Sequence, residues 1–115
     1  MPTIEEIIKR ATAIGLPITE NAWKKTAKKP VPEPPYIVYL VSENQRGDDN
    51  KNRIREINGS LELYTDRTPD GSLEERIEEE VLFDLPFSKY QAEITSENMV
   101  QTAYEFDITQ KKGRK

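Results

Sequence analysis

The apolar positions of this chain fall into two periods, one helical and one alternating. Ile4, Ile7, Ile8, Ala11 and Ile14 recur at helical spacing and leave Glu5, Glu6, Lys9 and Arg10 on the opposite side. Thr3 and Glu6 form a Thr-x-x-Glu capping box, and Gly15 followed by Pro17 closes the helix. Thr19 to Lys29 admits a short second helix around Ala22 and Trp23, supported by one apolar pair only. Pro30, Pro32, Pro34 and Pro35 then stiffen the chain into an extended connector. Tyr36 to Val41 (Tyr-Ile-Val-Tyr-Leu-Val) is a strand apolar on both faces, so it must be covered twice, by a helix layer and by something else.

Asn44 to Asn52 contains no apolar residue and reads as a polar connector. Ile54 to Thr65 is a second strand. Asn58-Gly59 offers either a hairpin turn or an interruption within one strand. Ile57, Leu61 and Leu63 keep the same parity across the glycine, which favours a single long strand with a kink. Thr68-Pro69-Asp70-Gly71 is a turn, and Ser72 with Glu75 makes a second capping box for a helix carrying Leu73, Ile77, Val81, Leu82 and Leu85. Glu78, Glu79 and Glu80 form mostly its wet side, and Pro86 stops it. Tyr90 to Ile94 alternates as a short strand, Thr95 to Asn98 is a turn, and Val100 to Ile108 alternates again with Val100, Tyr104, Phe106 and Ile108 on one face.

This order predicts an α+β domain, α-β-β-α-β-β, with a four-stranded, mostly antiparallel sheet and both helices on one face. The domain is expected over residues 1–110, with 111–115 as a disordered basic tail. At 115 residues the chain suits one domain. No run approaches the roughly 18 apolar residues of a membrane span, and the acidic N-terminus does not read as a signal peptide. A soluble chain made in the cytoplasm is therefore expected.

Composition changes the picture mainly by what is missing. There is no His and no Cys, which removes Ser-His-Asp and Cys-His nucleophiles and Cys/His zinc clusters. A carboxylate site around Asp48, Asp49, Asp66 and Asp70 is the remaining enzymatic option; with 21 acidic residues, clusters of this kind arise by chance. No enzyme, cofactor or metal is expected. The net charge of -4 argues against a phosphate backbone as the main partner. Two basic runs stand against that balance, Lys24, Lys25, Lys28 and Lys29, and Lys111, Lys112, Arg114 and Lys115. They leave a small nucleic-acid-binding module as the alternative.

An ordered set of segments resembles the tail-terminator, or tail-completion, proteins of long-tailed bacteriophages and prophages. It comprises Gly15-Leu16-Pro17, Ala22-Trp23, Pro34-Pro35-Tyr36-Ile37-Val38-Tyr39-Leu40, Leu61-Glu62-Leu63-Tyr64-Thr65-Asp66, Leu73-Glu74-Glu75-Arg76-Ile77-Glu78 and Tyr104-Glu105-Phe106-Asp107-Ile108. The resemblance implies a non-enzymatic subunit of a ring, commonly a hexamer, that caps the tail tube and joins it to the head; the alternative it leaves is another head–tail joining or minor tail protein of the same fold. Its implied partners are copies of itself, the tail tube protein and a head–tail connector protein, with DNA only as cargo. Its implied place is the host cytoplasm during assembly and then the head-proximal end of the virion tail. The chain departs from that pattern in the short turn Asp84 to Lys89 and in its lysine knot. The candidate subunit or ring-face contacts are Tyr36, Tyr39, Arg46, Asp48, Asp49, Lys51 and Tyr64. For the aromatic residues among them core packing is the favoured reading and interface the other, and Arg46 and Lys51 balance Asp48 and Asp49 in the polar connector.

Overall fold

The structure, a computed structural model, describes residues 2–22, 32–46, 53–67 and 71–112. Helix α1 spans Ile4–Thr12, with Thr3 as its cap accepting from the Glu6 amide at 3.1 Å. Its buried side is Ile4, Ile7 and Ala11, continued by Ile14 in the turn that follows. Gly15 sits at φ +98, where a side chain would be strained, and so lets the chain reverse.

The reversal leads into an element the hydrophobic pattern does not announce. Ile18–Glu20 forms strand β1, parallel to β2 (Tyr36–Arg46), so the helix expected from Thr19 begins instead as a strand. Residues 23–31, the rest of that expected helix together with Trp23 and the Lys24 to Lys29 cluster, lie outside the described residues. Three residues suffice because the ladder is extended at both ends: the Ile37 amide donates to the Pro17 carbonyl and the Asn21 amide to the Tyr39 carbonyl, each at 2.8 Å.

Strand β3 (Arg53–Asp66) is antiparallel to β2 on one side and to β5 (Met99–Lys112) on the other; β4 (Ser88–Ile94) flanks β5. The sheet therefore has five strands, ordered β1-β2-β3-β5-β4, and is mixed rather than four-stranded. Both long strands reach into segments read as connectors. Asn44, Gln45 and Arg46 pair with Glu56, Arg55 and Ile54, because backbone pairing needs no apolar side chain. Likewise Lys111 and Lys112 pair with Ile54 and Arg53, so β5 continues past the point where the tail was expected to begin. Residues 47–52 and 113–115 lie outside the described residues.

Pairing runs through Gly59 in an unbroken register, opposite Val41 and Phe106, with no extra residue on either side. The glycine is there for space. A Cβ at Gly59 would come within 2.5 Å of Phe106 Cε1, so the phenyl ring fills the place where a side chain would stand.

Helix α2 (Ser72–Arg76) opens into a π turn at Ile77–Val81. Gly71, at φ 86, holds the N-cap position expected of Ser72, and Ser72 is the first helical residue. The π turn has a sequence cause. Apolar residues four apart drift about 40° per step around an α-helix. A wider turn absorbs that drift and keeps both Ile77 and Val81 fully buried. The helix ends at Val81, and Leu82 and Leu85 are buried from the turn beyond it.

The main core joins the buried side of α1 (Ile4, Ile7, Ala11) and the α2 region (Ile77, Val81, Leu82, Leu85) to Ile37, Ile57, Leu61, Leu63, Tyr104, Phe106 and Ile108 of the sheet. Both helices thus serve one face. Arg10 ties them together at the surface: its guanidinium grips Asp84 with two bonds of 2.8 and 3.1 Å, donates to the Val81 carbonyl, and lies 4.5 Å from the centre of the exposed Phe83 ring.

Candidate interaction surface

Alternation sends the remaining side chains of the long strands to the face away from the helices. Cross-strand register sets them in rows: Tyr36, Tyr64, Gln101 and Ala92; then Val38, Glu62, Ala103 and Tyr90; then Leu40, Ser60, Glu105 and Ser88. A second apolar cluster forms here from Tyr36, Val38 and Met99, with Leu40, Tyr64 and Ile94 packed against them. All six come from strands; neither helix contributes to it.

Tyr36 and Tyr64 stack with ring centroids 5.0 Å apart and planes 22° from parallel. The Tyr64 hydroxyl donates to Glu62 Oε1 at 3.0 Å and accepts from Gln101 Nε2 at 2.9 Å. Burial, reinforced by the Glu62 carboxylate, pushes its pKa up to about 12, so it remains a neutral donor across the physiological range. The Tyr36 hydroxyl points to Met99 Sδ at 4.0 Å.

Beside this apolar end lies a shallow concavity of about 450 Å³ bordered by Leu40, Ser42, Asn58, Ser60, Glu105 and Asp107. Asn58 donates to Asp107, and the Tyr90 hydroxyl reaches Glu105 at 3.5 Å. Among the described residues that line it there is no Lys or Arg. The described part of the face thus runs from an apolar cluster to an acidic concavity, a pattern for contact with protein.

On the helix side, at the far edge of the sheet, a polar network joins α2 to β4 and β5. Lys89 Nζ lies 2.6 Å from Glu78 and 3.3 Å from Glu74. The fully buried Tyr104 donates to Glu78 at 2.9 Å, and Gln91 donates to Glu74 and to Thr102, each at 3.0 Å. Lys89 above all, with Tyr104, holds the Glu78 carboxyl below the usual range. Glu78 is therefore not part of the wet side with Glu79 and Glu80.

Of the candidate contact residues, the structure brings Tyr36 and Tyr64 together and separates Tyr39, which packs against the main core on the other face. Arg46 ends β2, roughly 33 Å along the strand from Tyr36. Asp48, Asp49 and Lys51 lie outside the described residues, as does Asp70 of the carboxylate option. Asp66 is exposed at the end of β3. Among the described residues no three acidic side chains are placed to hold a metal ion, and no helix is long and apolar enough to cross a membrane. Sequence reasoning missed Val38, Met99 and Ile94. The parity of Tyr36, Val38 and Leu40 would have found the first, whereas Met99 and Ile94 depend on the register of β4 against β5.

No family model, curated protein or solved structure matches this chain.

Proposed function

We propose that this chain is a non-enzymatic structural subunit that assembles with copies of itself into a ring, a hexamer on the virion, at the head-proximal end of a long phage or prophage tail. There it ends growth of the tail tube and offers a surface to the head–tail connector, with DNA passing through as cargo. The observation that carries the reading is strand β2, apolar on both faces, with a second cluster built of strand residues alone beside the helix-covered core. A subunit whose work is contact needs such a face and needs no nucleophile. The acidic concavity suits a surface along which DNA slides without being held.

Leu40→Lys tests the reading, because Leu40 is only partly buried and lies on the far side of the sheet from the helices. The variant should keep its circular dichroism and melting transition. In cells assembling tails, loss of the chain should give overgrown, headless tails in electron micrographs, and the variant should not restore normal length. Tails of normal length carrying heads in the absence of the chain would overturn the reading.

A further inference from the structure

The two outer strands of the sheet differ in a way that bears on self-association. Strand β1 has three residues, short enough to blunt its own edge, whereas β4 has seven, nearly all exposed, and contains no proline. A lysine within an edge strand ordinarily blocks a neighbouring strand. Here Lys89 is turned onto Glu74 and Glu78, and its amine lies over the Tyr104 ring at 5.7 Å. The edge is therefore long and without its usual guard.

We propose that β4 pairs antiparallel with β4 of a second copy about a two-fold axis at Gln91, joining two sheets into one of ten strands. The strand is self-complementary in the only symmetric register that uses all seven residues. Lys89, which has three ammonium protons and so stays on Glu74 and Glu78 of its own copy, then stands opposite Glu93 of the second copy and Glu93 opposite its Lys89, while Tyr90 meets Ala92 and Ser88 meets Ile94, large against small on the face away from the helices. Opposite charges across an antiparallel pair favour this register, and slipping it by two residues removes both ion pairs. The inference concerns the strand edge and stands apart from the ring, which was argued from the sheet face.

The test uses the full chain, which has no cysteine. Directly opposed residues of an antiparallel pair have Cα atoms about 4.5–5.5 Å apart, within disulfide reach. Gln91→Cys should cross-link to a second copy under mild oxidation, and Thr12→Cys, exposed on α1, should not. By sedimentation velocity the unaltered chain should dimerise, and Glu93→Lys, exposed and outside the core, should weaken dimerisation roughly tenfold or more with an unchanged melting transition. A chain monomeric up to about millimolar concentration, a Gln91→Cys variant that cross-links no faster than Thr12→Cys, or an association that Glu93→Lys leaves intact would each overturn the pairing. A closed ring in which Gln91→Cys forms no cross-link would overturn the pairing while leaving the ring reading standing.

Discussion

Gly59 is the position where one atom decides most. Its missing side chain is occupied by Phe106 from the neighbouring strand, so the pair acts as one packing unit across the ladder. Gly59→Ala should destabilise the fold by about 1–3 kcal/mol through overpacking, read from the denaturant midpoint. In a Phe106→Leu background the added cost should nearly vanish, since the ring is what the methyl meets; equal costs in both backgrounds would show that the strand backbone, and not the ring, demands glycine. The sequence shows that Gly59 lies within a strand, because parity persists through it. It does not show why, because the reason is a residue 47 positions later. Tyr39 makes the same point about the candidate surface. Composition groups it with Tyr36 and Tyr64, and only the odd–even alternation from Tyr36 sends it to the opposite face.

At the scale of elements, those whose cause is local were legible: α1 from its cap and period, β2 and β3 from their apolar runs, and β5 from its alternation. Elements held by distant partners were not. The three residues of β1 are too few to announce a strand, and they form one because β2 lies alongside with a donor at one end of the pairing and an acceptor at the other. The start of α2 was misread by one residue, since a turn glycine at positive φ took the cap position from Ser72. Arg10 links elements across the surface, and its partner Asp84 lies 74 residues away. Arg10→Ala should lower the melting temperature by a few degrees, loosening α1 from the turn after α2. Arg10→Lys should recover little of the loss, because an ammonium cannot reproduce the two-pronged grip on Asp84. Full recovery by lysine would mean that charge alone matters there.

For the molecule as a whole, charge pairing predicts how stability follows pH. Glu78, Glu80 and Asp84 are held below the usual carboxylate range chiefly by hydrogen bonds from Lys89, Arg76 and Arg10 respectively. A depressed folded value means that the unfolded chain binds protons first. Their contribution is complete above the unfolded pKa of about 4 and is lost as pH falls through the folded values. Lys89 is raised, mainly by Glu78, so its share is present below about pH 10.4 and is lost as pH climbs through its folded value. Melting temperature should therefore be level between these limits and drop at both ends. Lys89→Met should lower stability at pH 7 and flatten the acid limb, because Glu78 would then lack the cation that holds its carboxyl down. An acid limb as steep as that of the unaltered chain would place the acid sensitivity elsewhere. The second apolar cluster was only half legible at this scale: β2 declares it from one strand, but its partners arrive from β3, β4 and β5 through a register that no local pattern contains.

The sheet order has a consequence for synthesis. Strand β5 is the last of the five to be made, yet it sits between β3 and β4. While the chain is being translated, β4 has no neighbour to join and β3 can pair only with β2. A nascent chain stopped before Tyr104 carries two open ladders, and its main core lacks Tyr104, Phe106 and Ile108. Folding must therefore wait for β5 to leave the ribosome, and chains cut within β5 should aggregate or be degraded rather than fold.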